Sequence, residues 1–293
     1  MAEVRENVVA PDESGLGGQV GSGRHSLAGR PGSRGGLPRL RLRVWLPPLI
    51  AFAALAAAWE FYARSHPFVL PTIEDIWGTL RDNPHLYWVN FLTTLREVAV
   101  GGAFGIGAAF LLAVLMVELP IFESALMPLM IVLMVTPIVA IAPALVIAFG
   151  FGTTPKYLVT AIIVFYPMLV NSLAGLRDVD DAVLAVFATL HANRWEVFRR
   201  LRVPSSLPFV FAGLRIALPL AVVGATVAEF AAAGQQAGLG ALIQVAASQA
   251  NLAVIWASIV LLCLLGLALV TALAVIRKQV LFWDNAARTG ATS

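Results

Sequence analysis

The sequence predicts an all-α membrane protein with about six transmembrane helices, and three observations lead there. Of its 293 residues 59% are hydrophobic and 13% are charged, with a mean hydropathy of +0.83, well above what the core of a soluble domain requires. The apolar residues fall in runs of roughly 20, the length a helix needs to cross about 30 Å of hydrocarbon. They do not form the alternating segments of about ten residues that build a membrane β-barrel.

The elements follow in order. Residues 1–38 are rich in Gly, Ser, Pro and Arg without apolar periodicity, and are read as a disordered cytoplasmic tail. No signal-peptide h-region or small-residue cleavage site is evident in it. A transmembrane domain is expected over 39–283, with spans at Val44 to Ala63, Phe91 to Val117, Leu126 to Phe149, Tyr157 to Leu176, Phe209 to Phe230 and Ala253 to Ile276. A cytoplasmic loop occupies 177–207, and 284–293 form a short cytoplasmic tail. In the second span Gly101, Gly102 and Gly105 make a small-residue face, either for tight packing within one subunit or for contact with a second. Pro128, Pro137, Pro143 and Pro167 punctuate the third and fourth spans and invite kinks.

Charge sets the orientation. With the amino terminus in the cytoplasm, sixteen of the 20 Lys and Arg fall inside, leaving Arg64, Arg81, Arg96 and Lys156 outside. These basic residues flank membrane runs and do not interleave with aromatics, so a nucleic-acid partner is not expected. Arg96, Glu97, Arg215 and Glu229 stand near span ends and are read as interfacial anchors. Such bare spans argue against an ion-coupled carrier, which needs a titrating group at depth.

Other chemistries find no support. There is no G-x-x-x-x-G-K-[ST] loop for ATP, and Cys263 is the lone cysteine. His25, His66, His85 and His191 lie outside the predicted spans, so neither a metal nor a cofactor is expected, and no catalytic residue is assigned. The few polar side chains within spans, Thr136, Asn171, Ser172 and Thr226, are either interhelical hydrogen-bonding groups or residues of a transport path.

The loop "LRDVDDAVLAVFATLHANRWEVFRRLRVPSSLP" is the most charged interruption. Asp178, Asp180 and Asp181 favour the start of a short apolar helix. After a turn at His191 to Asn193 a second helix carries Trp195, Phe198 and Arg202, and Pro204 is expected to end it. An apolar and aromatic hairpin in water needs a cover, either anionic lipid at the bilayer surface or a protein partner.

This loop resembles the EAA loop of binding-protein-dependent ABC transporter permeases through the Ala192 to Val197 run, Val203-Pro204, Pro208 and "AGLRIAL". The likeness extends to "PFVLPTIEDIW", "PIVAIAPALVIAFGFGTTPKYLV", "FYPMLVNSLAGLRDVD" and "AEF...GLG", which are similar to the nitrate, sulfonate and taurine branch. Two departures stand out: Ala185, Val186 and Phe187 occupy the E-A-A positions, and His191 replaces the loop glycine. A left-handed turn there costs glycine nothing but costs histidine strain.

The resemblance implies a type I ABC importer permease in a bacterial inner membrane, with a cytoplasmic ATPase dimer, an extracytoplasmic substrate-binding protein and a second permease copy as partners. It implies ATPase docking by Leu190, His191, Ala192, Arg194, Trp195 and Phe198. The expected cargo is a sulfonate, nitrate or taurine-type solute, with a neutral pyrimidine-type vitamin precursor as the alternative. An ion-coupled carrier is the reading from a different class.

Overall fold

A computed structural model describes residues 42–232 and 237–281, so both predicted tails lie outside the described residues. The chain divides into two compact units, Met1–Ala51 and Phe52–Ser293. In the first, the described part is the opening of helix α1 (Leu42–Ser65), which carries Pro47 and Pro48.

In the second unit the rest of α1 presents apolar side chains outward. Its Trp59 donates Nε1–H to the Pro71 carbonyl at 3.1 Å and meets Trp256 edge-on at 4.5 Å. A short helix, α2 (Ile73–Asp82), opens with a capping box between Thr72 and Asp75. It was not foreseen from the sequence, being too short and too polar to cross a membrane.

The core is built from three long helices, α3 (Pro84–Glu118), α6 (Thr153–Arg177) and α9 (Val203–Ala231). Small residues let them approach. A Cβ on Gly101 would lie 2.7 Å from Thr160 Cβ, and one on Gly105 would strike the Ala161 carbonyl, so α3 and α6 touch nearly backbone to backbone. Gly213 and Gly224 serve the α6–α9 contact in the same way, against Asn171 and Thr160. The glycine face of the second span thus packs within one subunit. Apolar clusters fill the spaces between, with Val98, Val164, Ala221 and Leu265 in one and Ala109, Met116, Met168 and Leu169 in another.

The third predicted span is not one straight helix. It is α4 (Pro120–Val135) and α5 (Ile138–Phe149), bent by 97° at Thr136 and Pro137. Pro137 has no N–H to offer and disfavours helical geometry in the residue before it, which is why Thr136 is extended. Five described helices are long and apolar enough to cross a membrane, and the bent pair makes a sixth span when counted as one.

The loop forms α7 (Asp181–Thr189) and α8 (Arg194–Val197). Pro204 does not end the second of these, contrary to the sequence expectation. A π-helical turn at Phe198–Arg202, in which the Val203 N–H bonds the Phe198 carbonyl, shifts the ladder by one residue. Pro204, which has no N–H, then follows directly after the π-turn, and the helical run is continuous from Arg194 to Ala231. Beyond it, α10 (Leu239–Ser248) is short and apolar, and α11 (Leu252–Val280) is a full-length span with Cys263 exposed.

Candidate functional site

Polar side chains gather at several places among the described residues, and the first is the α7–α8 hairpin, here called the knob. Asp180 caps α7 by accepting from the Ala182 N–H at 2.8 Å. The helix then closes with the Ala192 N–H on the Phe187 carbonyl and the His191 N–H on the Ala188 carbonyl, at 3.1 and 3.0 Å. This pairing defines a Schellman turn, and His191 takes its left-handed position with φ of 54°. The turn therefore keeps the shape a glycine would give it, with histidine bearing the strain. Asn193 and Glu196 form a reciprocal capping box that starts α8.

The six residues expected to dock an ATPase, Leu190, His191, Ala192, Arg194, Trp195 and Phe198, lie in or beside this knob. Leu190 and Trp195 are 71% and 65% exposed, and His191 stands exposed between them in sequence. Trp195 stacks on Phe198 with ring centroids 5.7 Å apart. Arg194, Trp195 and Phe198 border a hollow of about 300 Å³ with Val114 and Glu118 at the end of α3. Ala192 and Arg194 border a neighbouring one of about 350 Å³ that reaches Arg202, whose guanidinium lies 3.8 Å from Glu118. At the same end Arg177 forms a two-armed pair with Glu123 of α4.

The second place is a cavity of about 460 Å³ at the α4–α5 bend, walled by α6 and α9. Thr136 and Asn171 both line it, joined by Tyr166, while Leu133, Ile138, Ile163 and Ile216 make it mostly apolar. Thr136 bonds the Val132 carbonyl and Asn171 the Pro167 carbonyl, each at 2.7 Å. The other two proposed path residues are elsewhere. Ser172 is fully buried outside this lining, and Thr226 turns its hydroxyl to the Val222 carbonyl.

The third place was missed from the sequence and corrects it. Glu97, Lys156 and Glu229 are not interfacial or external anchors: all three are buried, at the end of α3, α6 and α9 away from the knob. Lys156 Nζ lies 2.8 Å from Glu97 Oε1 and donates also to the Ala237 carbonyl at 3.1 Å. Thr94 bridges, donating to Glu229 Oε1 at 2.7 Å and accepting from the Leu239 N–H at 2.9 Å. Asn90 accepts from the Gly238 N–H at 2.7 Å, and Glu229 Oε2 accepts from the Gly240 N–H. Arg96 and Arg215 do remain exposed. The available signal was depth: three charges sit at matching ends of their spans, close to a "GLG" whose glycines expose backbone donors.

Long apolar helices, one of them in a bent pair, with an exposed aromatic knob define a multi-pass membrane protein. The family model of the binding-protein-dependent transport system inner membrane component matches residues 101–281, and the chain belongs to that family. Among relatives, the formylaminopyrimidine transport permease protein ThiX of Halalkalibacterium halodurans is 34% identical over 81% of this chain and 96% of its own length. The riboflavin transport system permease protein RibX of Chloroflexus aurantiacus is 31% identical over 84% and 91%. A putative aliphatic sulfonates transport permease protein SsuC of Bacillus subtilis is 25% identical over 82% and 88%. The chain is thus a multi-pass permease subunit of an ABC transporter, and ATP hydrolysis belongs to a partner subunit.

Proposed function

We propose that two copies of this chain form the membrane path of an importer for a neutral pyrimidine-type heterocycle, with the knob on a cytoplasmic ATPase. The opposite end faces an extracytoplasmic binding protein. Two things support the orientation. The basic residues gather on the knob side, where Arg177, Arg194, Arg199, Arg200 and Arg202 cluster. Counting the bent α4–α5 pair as one crossing gives six spans, which returns the chain to its starting side. A second copy completes the path that the α4–α5 cavity, walled by α6 and α9, begins.

The work is mechanical. ATP-driven closure of the two ATPases moves the knobs, and because α8, the π-turn and α9 are one helical run, that motion reaches the span lining the cavity. Leu190 and Trp195 fill an apolar groove on the ATPase, while Arg194 meets an acid or carbonyl at its rim. The direction of transport comes from the partners binding one state of the path better than the other.

The observation that carries the substrate class is the cavity lining: its polar side chains are Thr136, Tyr166 and Asn171, and no charged side chain takes part. A sulfonate or nitrate leaving water needs charged or N–H donors to replace its hydration. A flat neutral heterocycle is served by an aromatic face, apolar walls and a few hydrogen-bonding groups. The names of two relatives above 30% identity point the same way, while the sulfonate relative stands at 25%. The test is uptake of a labelled formylaminopyrimidine by proteoliposomes holding the permease with its ATPase and binding protein. Neutral pyrimidines should compete and alkanesulfonates should not; competition by alkanesulfonates alone would return the sulfonate reading.

A further inference from the structure

The knob and the cavity leave the buried charges at the far end unexplained. An apolar membrane protein that buries two carboxylates and an ammonium incurs a desolvation cost that a leucine-lined core would avoid. The partners of these groups show what they secure. Lys156 holds the Ala237 carbonyl, Asn90 the Gly238 N–H, Thr94 the Leu239 N–H and Glu229 the Gly240 N–H. Four consecutive backbone groups where α10 begins are therefore received, one each, by side chains from α3, α6 and α9.

Three of these groups are N–H donors that a helix start leaves unsatisfied, and Glu229 Oε2 accepts from one of them. The fit leaves no slack. Gly238 has φ of 146°, and a Cβ there would strike the Glu229 carboxylate; a Cβ on Gly240 would lie 2.7 Å from Glu229 Oε2. At its other end α10 closes with a Schellman turn at Ala250, φ 52°, and Asn251 starts α11 by accepting from the Val254 N–H. That second turn borders a hollow of about 940 Å³, shared by Gln249 to Ala253 and the face of α2.

Glu229 is also near the end of the continuous run of 38 residues that begins at Arg194 in the knob. We propose that Asn90, Thr94, Glu97, Lys156 and Glu229 are positioning residues for transport, a clamp that makes α10 and the knob-bearing helix one lever. Contact made at the outer mouth, where α10 ends beside α2, is then passed through the clamp to the ATPase. This rests on the orientation and partners of the preceding subsection.

The test uses the assembled transporter with its own ATPase and binding protein in proteoliposomes, and measures ATP hydrolysis with and without liganded binding protein. Thr94→Val keeps the shape of the side chain but removes the acceptor for Leu239 and the donor to Glu229, whereas Thr94→Ser keeps both. Thr94→Val should assemble and retain basal hydrolysis, yet lose about 10-fold of its stimulation by binding protein, the size of an ordinary coupling free energy between two sites. Thr94→Ser should restore it. Gly240→Ala, whose Cβ would meet Glu229 Oε2 and the Thr226 carbonyl, should behave as Thr94→Val does. Full stimulation in both Thr94→Val and Gly240→Ala would overturn the proposal, as would equal loss of basal and stimulated hydrolysis. A parent chain that co-purifies with no ATPase would instead overturn the partner reading, and is told apart by that control.

Discussion

The two ends of this molecule handle charge in opposite ways. At the knob, arginines and aromatics are left exposed: Trp195 is 65% exposed, and the Arg177–Glu123 pair has side-chain exposures of 45% and 24%. At the clamp, Lys156 and Glu97 are 0% and 1% exposed and lie 2.8 Å apart. An exposed group that is apolar or cationic is incomplete until something covers it, whereas a buried one is already committed to its neighbours. The same few charged residue types thus mark a surface made for a partner at one end and a fixed joint at the other.

That contrast is broken most severely at the joint. Lys156→Met should cost about 3–5 kcal/mol by stranding Glu97 in an apolar core, read as a lowered thermal midpoint of the purified permease. Replacing the pair together, Glu97→Leu with Lys156→Met, should recover only part of that loss, since Glu97 is no longer stranded but Glu229 and the Ala237 carbonyl still lose Lys156. At the knob the expected pattern is reversed. Trp195→Ala should weaken ATPase co-assembly by about 2 kcal/mol or more, roughly 30-fold, while the permease alone melts within about 0.5 kcal/mol of the parent.

Two smaller changes sharpen the comparison. His191→Gly relieves the left-handed strain and should stabilise the knob by about 1 kcal/mol, seen as slower amide exchange in α7 with no change at α10. Glu123→Gln removes a pair open to solvent and should shift stability by less than about 1 kcal/mol, an effect that vanishes in high salt. A larger loss there than at Lys156 would invert the distinction between the two ends.

Much of the fold was legible because span length and hydropathy are local properties. The starts and ends of α6 and α11 fall within a few residues of the runs read from the sequence, and the knob residues were found because they interrupt an apolar chain. The bend at Thr136 and Pro137 was only half legible, since a proline invites a kink without fixing its angle. The continuity through Pro204 was hidden because it depends on a π-turn that the residue pattern does not announce. Lys156 was the largest miss. Taken alone, a lysine at the start of a span reads as an anchor, and its partner Glu97 is 59 residues away. Only the close α3–α6 packing at Gly101 and Gly105 brings them together.

That separation has a consequence for how the protein is made. At synthesis rates of about 5–20 residues per second, the 59 residues between Glu97 and Lys156 correspond to about 3–12 s. During this interval a nascent carboxylate must enter the bilayer with its counter-charge still in or behind the ribosome. Glu229 emerges later still, and the start of α10 follows it within a few residues. The joint is therefore finished only once the start of α10 has been made, long after the Glu97-bearing span.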